Sequence, residues 1–99
     1  MGVRIIAKRT LRDYWAKWPD AERPLNAWYR ATKRAVWKTP AEVKAAYAKA
    51  SIVGSDRVVF NIGGNKHRLI VAIFYDVGIV FVRFVGTHKE YDQIDAATV

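Results

Sequence analysis

Hydrophobic positions follow two different periods along this chain, helical before Gly54 and strand-like after it. Three later runs are rich in Val, Ile and Phe, residues that favour strands, and turns containing glycine separate them. They are RVVFNI (57–62), HRLIVAIFY (67–75) and IVFVRFVG (79–86). Near the start, VRII (3–6) is a short apolar run that we interpret as a first strand. The pattern therefore predicts three consecutive antiparallel strands and one separate strand early in the chain.

The residues between these strands carry apolar side chains at helical spacing. A first helix is predicted between Thr10, which with Asp13 forms a capping-box pattern, and Pro19, and a second helix follows it. Their apolar stripes consist of Leu11, Tyr14, Trp15 and Trp18 in the first helix and of Leu25, Trp28, Tyr29 and Val36 in the second. Aromatic residues at this spacing are typical of a helix face turned to the core, although base-stacking platforms have the same composition.

Two further capping boxes mark shorter helices. The segment Thr39-Pro40-Ala41-Glu42 combines an N-cap, a proline at the first helical position and a glutamate three residues after the cap. Thr87-His88-Lys89-Glu90 repeats the pattern, so HKEYDQI is expected to form a closing turn or short helix. The order β-α-α-α-β-β-β-α predicts an α+β fold, with the N-terminal strand and helices packed on an antiparallel sheet and residues 1–99 forming one domain. Because the middle strands are apolar on both alternating sets, the second face should be partly covered or form a concave wall.

Composition narrows the function classes. The chain is 52% hydrophobic and 26% charged, as soluble globular proteins are, and no apolar run approaches the roughly 18 residues of a membrane helix. It has no cysteine and two histidines, which excludes disulfides, thiolate metal sites and a cysteine nucleophile, and no metal or cofactor is expected. Because the first residues show no signal-peptide pattern, the expected location is the cytoplasm.

The net charge of +8 lies in the first half of the chain. Residues 1–50 contain twelve Lys or Arg and four Asp or Glu, whereas residues 51–99 contain five of each. This asymmetry suggests a polyanionic partner, either nucleic acid or an acidic protein, although a basic surface that only aids solubility has the same composition.

The stretch NIGGNKHRLIV (61–71) places polar residues at the mouth of a strand. No helix follows Gly63-Gly64, so the pair is interpreted as a hairpin turn and not as a phosphate loop. A two-residue turn would put Asn61 opposite Lys66, with Lys66 and Arg68 on one face and His67 on the other. An amide and two cations close together suit a phosphate backbone, while a solvated hairpin tip is the alternative.

A second group of polar residues follows the last strand. Antiparallel pairing brings the segment that contains His88, Lys89 and Tyr91 to the end of the sheet where Arg68 lies, so a histidine, a lysine and a tyrosine become candidates for proton transfer on a phosphodiester. Arg83 stands alone in VFVRFV, and its face depends on the register of the preceding turn, Asp76–Gly78. In one register it joins the face of Arg68, and an ion pair with Asp92 or Asp95 is the other possibility.

Two long segments, RVVFNIGGNKHRLIV (57–71) and FVRFVGTHKEYDQI (81–94), closely resemble the HigB toxins of bacterial type II toxin–antitoxin systems, within the RelE-like superfamily. The upstream segment (12–47) is similar to the paired helices and short third helix of the same family. The resemblance implies a RelE-like, microbial-ribonuclease-type fold and cleavage of mRNA in the ribosomal A site. The partners that it implies are mRNA, the 70S ribosome with its rRNA, and a HigA-type helix-turn-helix antitoxin. Operator DNA would be bound only through the complex with the antitoxin, and no contact with a membrane is implied.

The resemblance also implies roles for single residues. Arg68 matches the strand arginine that stabilises the transition-state phosphate, and His88 and Tyr91 fall in the segment that serves proton transfer and base stacking. The implied RNA contacts are Asn61, Lys66, Arg83 and Lys89. The strand RVVFNI lacks the paired lysines of RelE-type enzymes, which leaves open the acceptor of the 2′-hydroxyl proton; histidine is the residue type that titrates near neutrality.

Two other functions have sequence features that distinguish them. A ParE-type toxin shares the fold and poisons DNA gyrase, but such toxins lack the catalytic-looking His/Tyr segment that THKEY provides here. A plain RNA-binding module should carry base-stacking aromatic residues beside Arg68 on the sheet, whereas the aromatic residues of this chain fall mainly on helix stripes.

Overall fold

A five-stranded mixed sheet with helices packed on one face forms the structure, a computed structural model that describes residues 3–99. The strands are β1 (Arg4–Ile6), β2 (Ser51–Val53), β3 (Arg57–Ile62), β4 (His67–Phe74) and β5 (Ile79–Thr87). Their order in the sheet is β1-β5-β4-β3-β2; β1 pairs with β5 in parallel, and the other pairs are antiparallel. The predicted α+β class is confirmed. The short edge strand β2 was not predicted, because three residues are too few to show a period.

The helices are α1 (Lys8–Lys17), α2 (Glu22–Arg34), α3 (Pro40–Ala46) and α4 (His88–Tyr91), with a 3-10 turn at Pro19–Ala21. The capping boxes predicted for α3 and α4 are both present. The one predicted at Thr10 is wrong: the N-cap of α1 is the extended Ala7, three residues earlier, and it has no side-chain cap. Strand β1 leads directly into α1 there, so the chain enters the helix before Thr10. None of the helices within residues 3–99 is long and apolar enough to cross a membrane.

The main core lies between the helices and one face of the sheet. Phe60 of β3 is 1% exposed, and three aromatic rings surround it. Ring-centroid distances from Phe60 are 5.4 Å to Trp28, 6.3 Å to Trp37 and 5.1 Å to Tyr47. The aromatic residues of the predicted helix stripes are therefore part of the core: Trp28 is 2% exposed, and Trp15 and Trp18 pack against the core cluster.

The second face of the sheet is also largely covered, as the doubly apolar strands predicted. Val59, Ile70 and Ala72 on this face are between 0% and 3% exposed. The C-terminal residue reaches the same face, where Arg57 Nη2 donates to the Val99 oxygen at 3.0 Å. Because this face is covered, the exposed polar residues at the hairpin between β3 and β4 are the candidates for a functional site.

The hairpin between β3 and β4 differs from the predicted register. Its turn has four residues (63–66), and both glycines have positive φ, 63° for Gly63 and 69° for Gly64. Asn61 is consequently opposite Arg68, whereas the predicted two-residue turn would have put it opposite Lys66. Lys66 lies in the turn itself, outside the alternation of the strand.

Candidate active site

Arg68, the second residue of β4, is buried although it carries a charge, with 8% of its surface exposed. Its Nη1 donates to the carbonyl oxygens of Asn65 and His67 at 3.1 and 3.3 Å, and its Nη2 donates to Asn65 Oδ1 at 2.7 Å. Three of the five guanidinium N–H groups are thereby used. The Nε–H and one Nη2–H have no acceptor within residues 3–99. These two N–H groups are on nitrogens bonded to the same carbon, Cζ, and can together donate to two oxygens of one phosphate.

The short helix α4 presents Tyr91 to this arginine. Thr87 Oγ1 accepts from the Glu90 backbone N–H at 3.1 Å, and Glu90 Oε1 accepts from the Thr87 N–H at 2.8 Å. Both bonds fix the first turn of a helix that is too short to be stable by itself. The guanidinium carbon of Arg68 lies 5.7 Å from the centre of the Tyr91 ring, within the range of a cation–π contact. The ring therefore holds the guanidinium from a second side.

Antiparallel pairing places His88 beside the hairpin turn, as predicted. His67 is opposite Thr87 in the register, and the backbone N–H of His88 donates to the Lys66 carbonyl at 3.0 Å. The His88 side chain is 48% exposed, with Nε2 3.6 Å from Asp92 Oδ1. An exposed pair at this distance contributes little free energy, so the imidazole is free to turn towards a substrate.

Three of the four predicted RNA contacts lie around this end of the sheet. Asn61 is exposed and lies on the face of Arg68, since the two are directly opposite in the register. Lys66 in the turn and Lys89 in α4 are also exposed. The site thus combines the buried cation Arg68 with two exposed cations, Lys66 and Lys89, at its rim.

Arg83 lies where β5 loses its regular pairing with β4, in an irregularity opposite Ile70 and Val71. It is exposed, and its Nε donates to the Val99 oxygen at 3.3 Å, the oxygen that Arg57 also holds. The bulge therefore turns Arg83 to the sheet face of Arg57, which by the pairing of β3 with β4 is also the face of Arg68. The alternative, an ion pair with an acidic residue of the C-terminal segment, does not form within residues 3–99.

Sequence reasoning assigned no role to a hydrogen-bond network around the buried His67, on the helix side of the site. His67 is 2% exposed; its Nδ1 lies 2.7 Å from the Tyr14 hydroxyl and its Nε2 lies 2.9 Å from Asp20 Oδ2. Burial, with the negative charges of Glu90 and Asp20, raises the pKa of Tyr14 to about 12. The hydrogen bond from His67 lowers the pKa of Asp20. The sequence signal for this network was a histidine at an inward position of an apolar strand. The neighbouring sequence does not identify its partners, because they are 47 and 53 residues away.

A cleft of about 600 Å³ adjoins the site along the edge of β3. Its walls come from the segment between α3 and β2 and from the hairpin, and they include Tyr47, Lys49, Asn61 and Asn65. Because Asn65 also binds Arg68, the cleft and the buried arginine share a wall. An aromatic ring, two amides and a lysine are groups that suit a nucleotide.

The basic residues of the first half lie largely on the exposed surface of the helices. Arg23, Arg30 and Arg34 are exposed on α2. The ammonium groups of Lys8 and Lys33 lie 4.7 and 5.6 Å from the centre of the Tyr29 ring. The excess charge of the sequence thus forms an extended positive surface, as contact with a nucleic acid requires.

A family model and several curated proteins match this chain. A family model described as HigB_toxin, RelE-like toxic component of a toxin-antitoxin system, matches residues 21–94. The chain is 29% identical over 96 residues to the mRNA interferase toxin HigB of Escherichia coli (strain K12), with 95% of this chain and 92% of that protein covered. It has the same identity and coverage with the mRNA interferase HigB of Shigella flexneri. Identity is 28% over 94 residues with the mRNA interferase HigB of Escherichia coli O6:H1, covering 93% and 91% of the two chains. Since this family model matches well over half of the chain, the chain belongs to the HigB family of RelE-like toxins of toxin–antitoxin systems.

Proposed function

We propose that this protein is an endoribonuclease that cleaves translated mRNA in the A site of the ribosome and so inhibits translation. The observation that carries the proposal is the buried Arg68, whose guanidinium is held by Asn65 and Tyr91 and has two N–H donors without an acceptor within residues 3–99. A cation fixed before substrate arrives stabilises a charged transition state without reorganisation. The curated relatives are named mRNA interferases, which supports the same activity.

The reaction we infer uses the nucleophile that RNA carries. The 2′-hydroxyl loses its proton and attacks the adjacent phosphorus, the bond to the 5′-oxygen of the next nucleotide breaks, and that oxygen takes up a proton. The products are a 2′,3′-cyclic phosphate and a 5′-hydroxyl. The enzyme has to align the attack, stabilise the phosphorane charge and move one proton on each side.

The site residues fit these three tasks. Arg68 would hold the non-bridging phosphate oxygens, and His88 would take or give the proton. Tyr91 would stack on a base beside the scissile bond, and Lys66 and Lys89 would hold neighbouring phosphates.

Two further residues and the adjoining cleft complete the proposed RNA path. Asn61, opposite Arg68, would orient the nucleotide, and the cleft beside it has room for a base. Arg83, on the face that Arg57 shares, would contact the strand farther along. The positive surface of α1 and α2 would dock on rRNA.

We infer that the partner that restrains this activity is a HigA-type antitoxin with a helix-turn-helix domain. Through that antitoxin, the complex would bind operator DNA and repress its own synthesis. The support is membership of the toxin family together with a positive surface that an acidic partner can cover.

Primer extension on a reporter mRNA tests the proposed activity. Purified protein is incubated with the reporter either free or engaged by 70S ribosomes, and DNA supercoiling by gyrase is measured in parallel. Cuts at in-frame codons that need the ribosome support the proposal. Inhibited supercoiling without cuts would make the protein a gyrase poison, and RNA binding without either effect would leave a binding module.

A further inference from the structure

A chain of hydrogen bonds joins three separate elements behind the candidate site. Tyr14 comes from α1, Asp20 from the 3-10 turn and His67 from the first position of β4. The Tyr14 hydroxyl and Asp20 Oδ2 meet the two ring nitrogens of His67, at 2.7 and 2.9 Å. The rings of Tyr14 and Trp18 enclose the imidazole, with centroid distances of 5.4 and 6.3 Å. Every polar atom of this buried side chain is thus satisfied by a partner distant in the sequence.

One arrangement of protons that satisfies both contacts is an imidazole with its proton on Nε2. The raised pKa of Tyr14, about 12, keeps its phenol protonated, so the hydroxyl can donate to Nδ1. The lowered pKa of Asp20 keeps its carboxylate ionised, so it accepts from the Nε2–H. A neutral imidazole has one donor and one acceptor nitrogen, which matches these two partners. The ring cannot rotate without losing both bonds.

The backbone of His67 contacts both parts of the candidate site. Arg68 follows it directly in β4, and Thr87, the cap of α4, is opposite it in the register. His88 begins α4, and its N–H donates to the carbonyl of Lys66, the residue that precedes His67. The two halves of the candidate site, the buried arginine and the helix with the exposed histidine, are therefore joined at His67.

We propose that the Tyr14–His67–Asp20 network is a positioning device that holds Arg68 and the start of α4 in their reactive arrangement. The His67 side chain does not have to touch RNA, because it is 2% exposed and acts through its backbone neighbours. This inference rests on the proposed ribonuclease activity. Displacement by about 1 Å is enough to cost a large factor in rate, so the network should control kcat more than substrate binding.

The test uses the full chain and substitutions that remove single bonds. Tyr14→Phe deletes one hydroxyl and keeps the ring, and Asp20→Ala deletes the carboxylate, whereas Asp20→Asn keeps an oxygen that accepts from Nε2–H. Tyr75→Phe is the matched control, because Tyr75 lies near the β4–β5 turn, at the opposite end of β4 from His67. Single-turnover cleavage on 70S ribosomes gives the rate and the half-saturating concentration, and NMR follows the Arg68 Nε–H signal.

The double variant Tyr14→Phe/Asp20→Ala should cleave about tenfold more slowly with half-saturation within about twofold of wild type. It should also shift or broaden the Arg68 Nε–H signal, while Asp20→Asn and the Tyr75 control should change neither readout. Wild-type kcat and an unmoved Arg68 signal in the folded double variant would overturn the proposal. If wild type itself does not cleave, the proposed activity fails, and the Arg68 signal alone decides whether the network positions that side chain.

Discussion

Replacing Arg68 by alanine gives the sharpest test of the site, because the structure indicates which of its bonds serve the fold and which are left for a substrate. Three N–H groups bind Asn65 and His67, and the other two have no acceptor in the part of the chain that the structure describes. Two charge-assisted bonds to the phosphorane, each worth about 1.5–3 kcal/mol, would be lost. Allowing for partial replacement by water, we expect a loss of about 3–4 kcal/mol, or roughly 10²–10³-fold in kcat. Because the charge on the phosphate oxygens grows in the transition state, the loss should fall on kcat rather than on ribosome binding.

The same change should disturb the fold less. Asn65 is exposed, so water replaces the guanidinium at its oxygens, but the bond to the His67 carbonyl and the packing of the buried stem are lost. We expect the free energy of unfolding to fall by about 2 kcal/mol. Arg68→Lys is the matched variant, since it keeps the charge and most of the buried stem but lacks the fork. Its rate should lie between those of wild type and Arg68→Ala.

Both variants are assayed by single-turnover primer extension on 70S ribosomes, with urea denaturation to measure unfolding. Ribosome binding is measured separately by co-sedimentation. A folded Arg68→Ala protein that cleaves within about threefold of wild type would refute the reasoning, because the two free donors would then have no part in the reaction.

The remaining predictions concern proton transfer, the cap of α4, the core and a buried phenol. His88→Ala should lower kcat about 10²-fold or more in the same assay with little change in ribosome binding, and near-full cleavage would remove the residue from the mechanism. Thr87→Ala removes half of the capping box, worth about 1 kcal/mol at the start of α4; the rate should fall several-fold, and a Thr87→Ser protein should retain it. Phe60→Ala should reduce the free energy of unfolding in urea by about 3–5 kcal/mol, and a loss below about 1 kcal/mol would contradict the ring packing described above. The pKa of Tyr14 is raised from 10.0 to about 12 in the folded protein, so its contribution to stability is present below pH 10 and is lost as the pH rises through 12. The difference in unfolding free energy between wild type and Tyr14→Phe should therefore shrink at alkaline pH, and an unchanged difference between pH 8 and pH 11 would contradict it.

Local patterns account for much of the fold. The three long strands appear where Val, Ile and Phe alternate between turns, because side chains on a pleated strand meet their surroundings with a period of two. The capping boxes at Thr39 and Thr87 formed as predicted, since each joins groups only three residues apart. The proximity of α4 to the hairpin also follows from the sequence, because consecutive antiparallel strands return the end of β5 to the beginning of β4.

Predictions failed where a choice depended on distant contacts. The turn at Gly63 and Gly64 has four residues instead of two, and packing on both faces of the sheet selects between these registers. The sequence left the face of Arg83 open, and the fit of β5 against β4, with its irregularity near this residue, decides it. At Thr10, the path of the chain out of β1 overrode a capping pattern that was locally sound.

The sequence by itself determined the chemical groups of the candidate site and the end of the sheet at which they gather. The tertiary structure alone decided how they are held. Arg68 gains its buried, oriented guanidinium from a turn whose length was not readable from Gly63-Gly64, and His67 meets partners 47 and 53 residues away in the chain. Hydrogen-bonding periods and caps act over a few residues, whereas burial and register are set by the whole core at once, so only the folded chain specifies them.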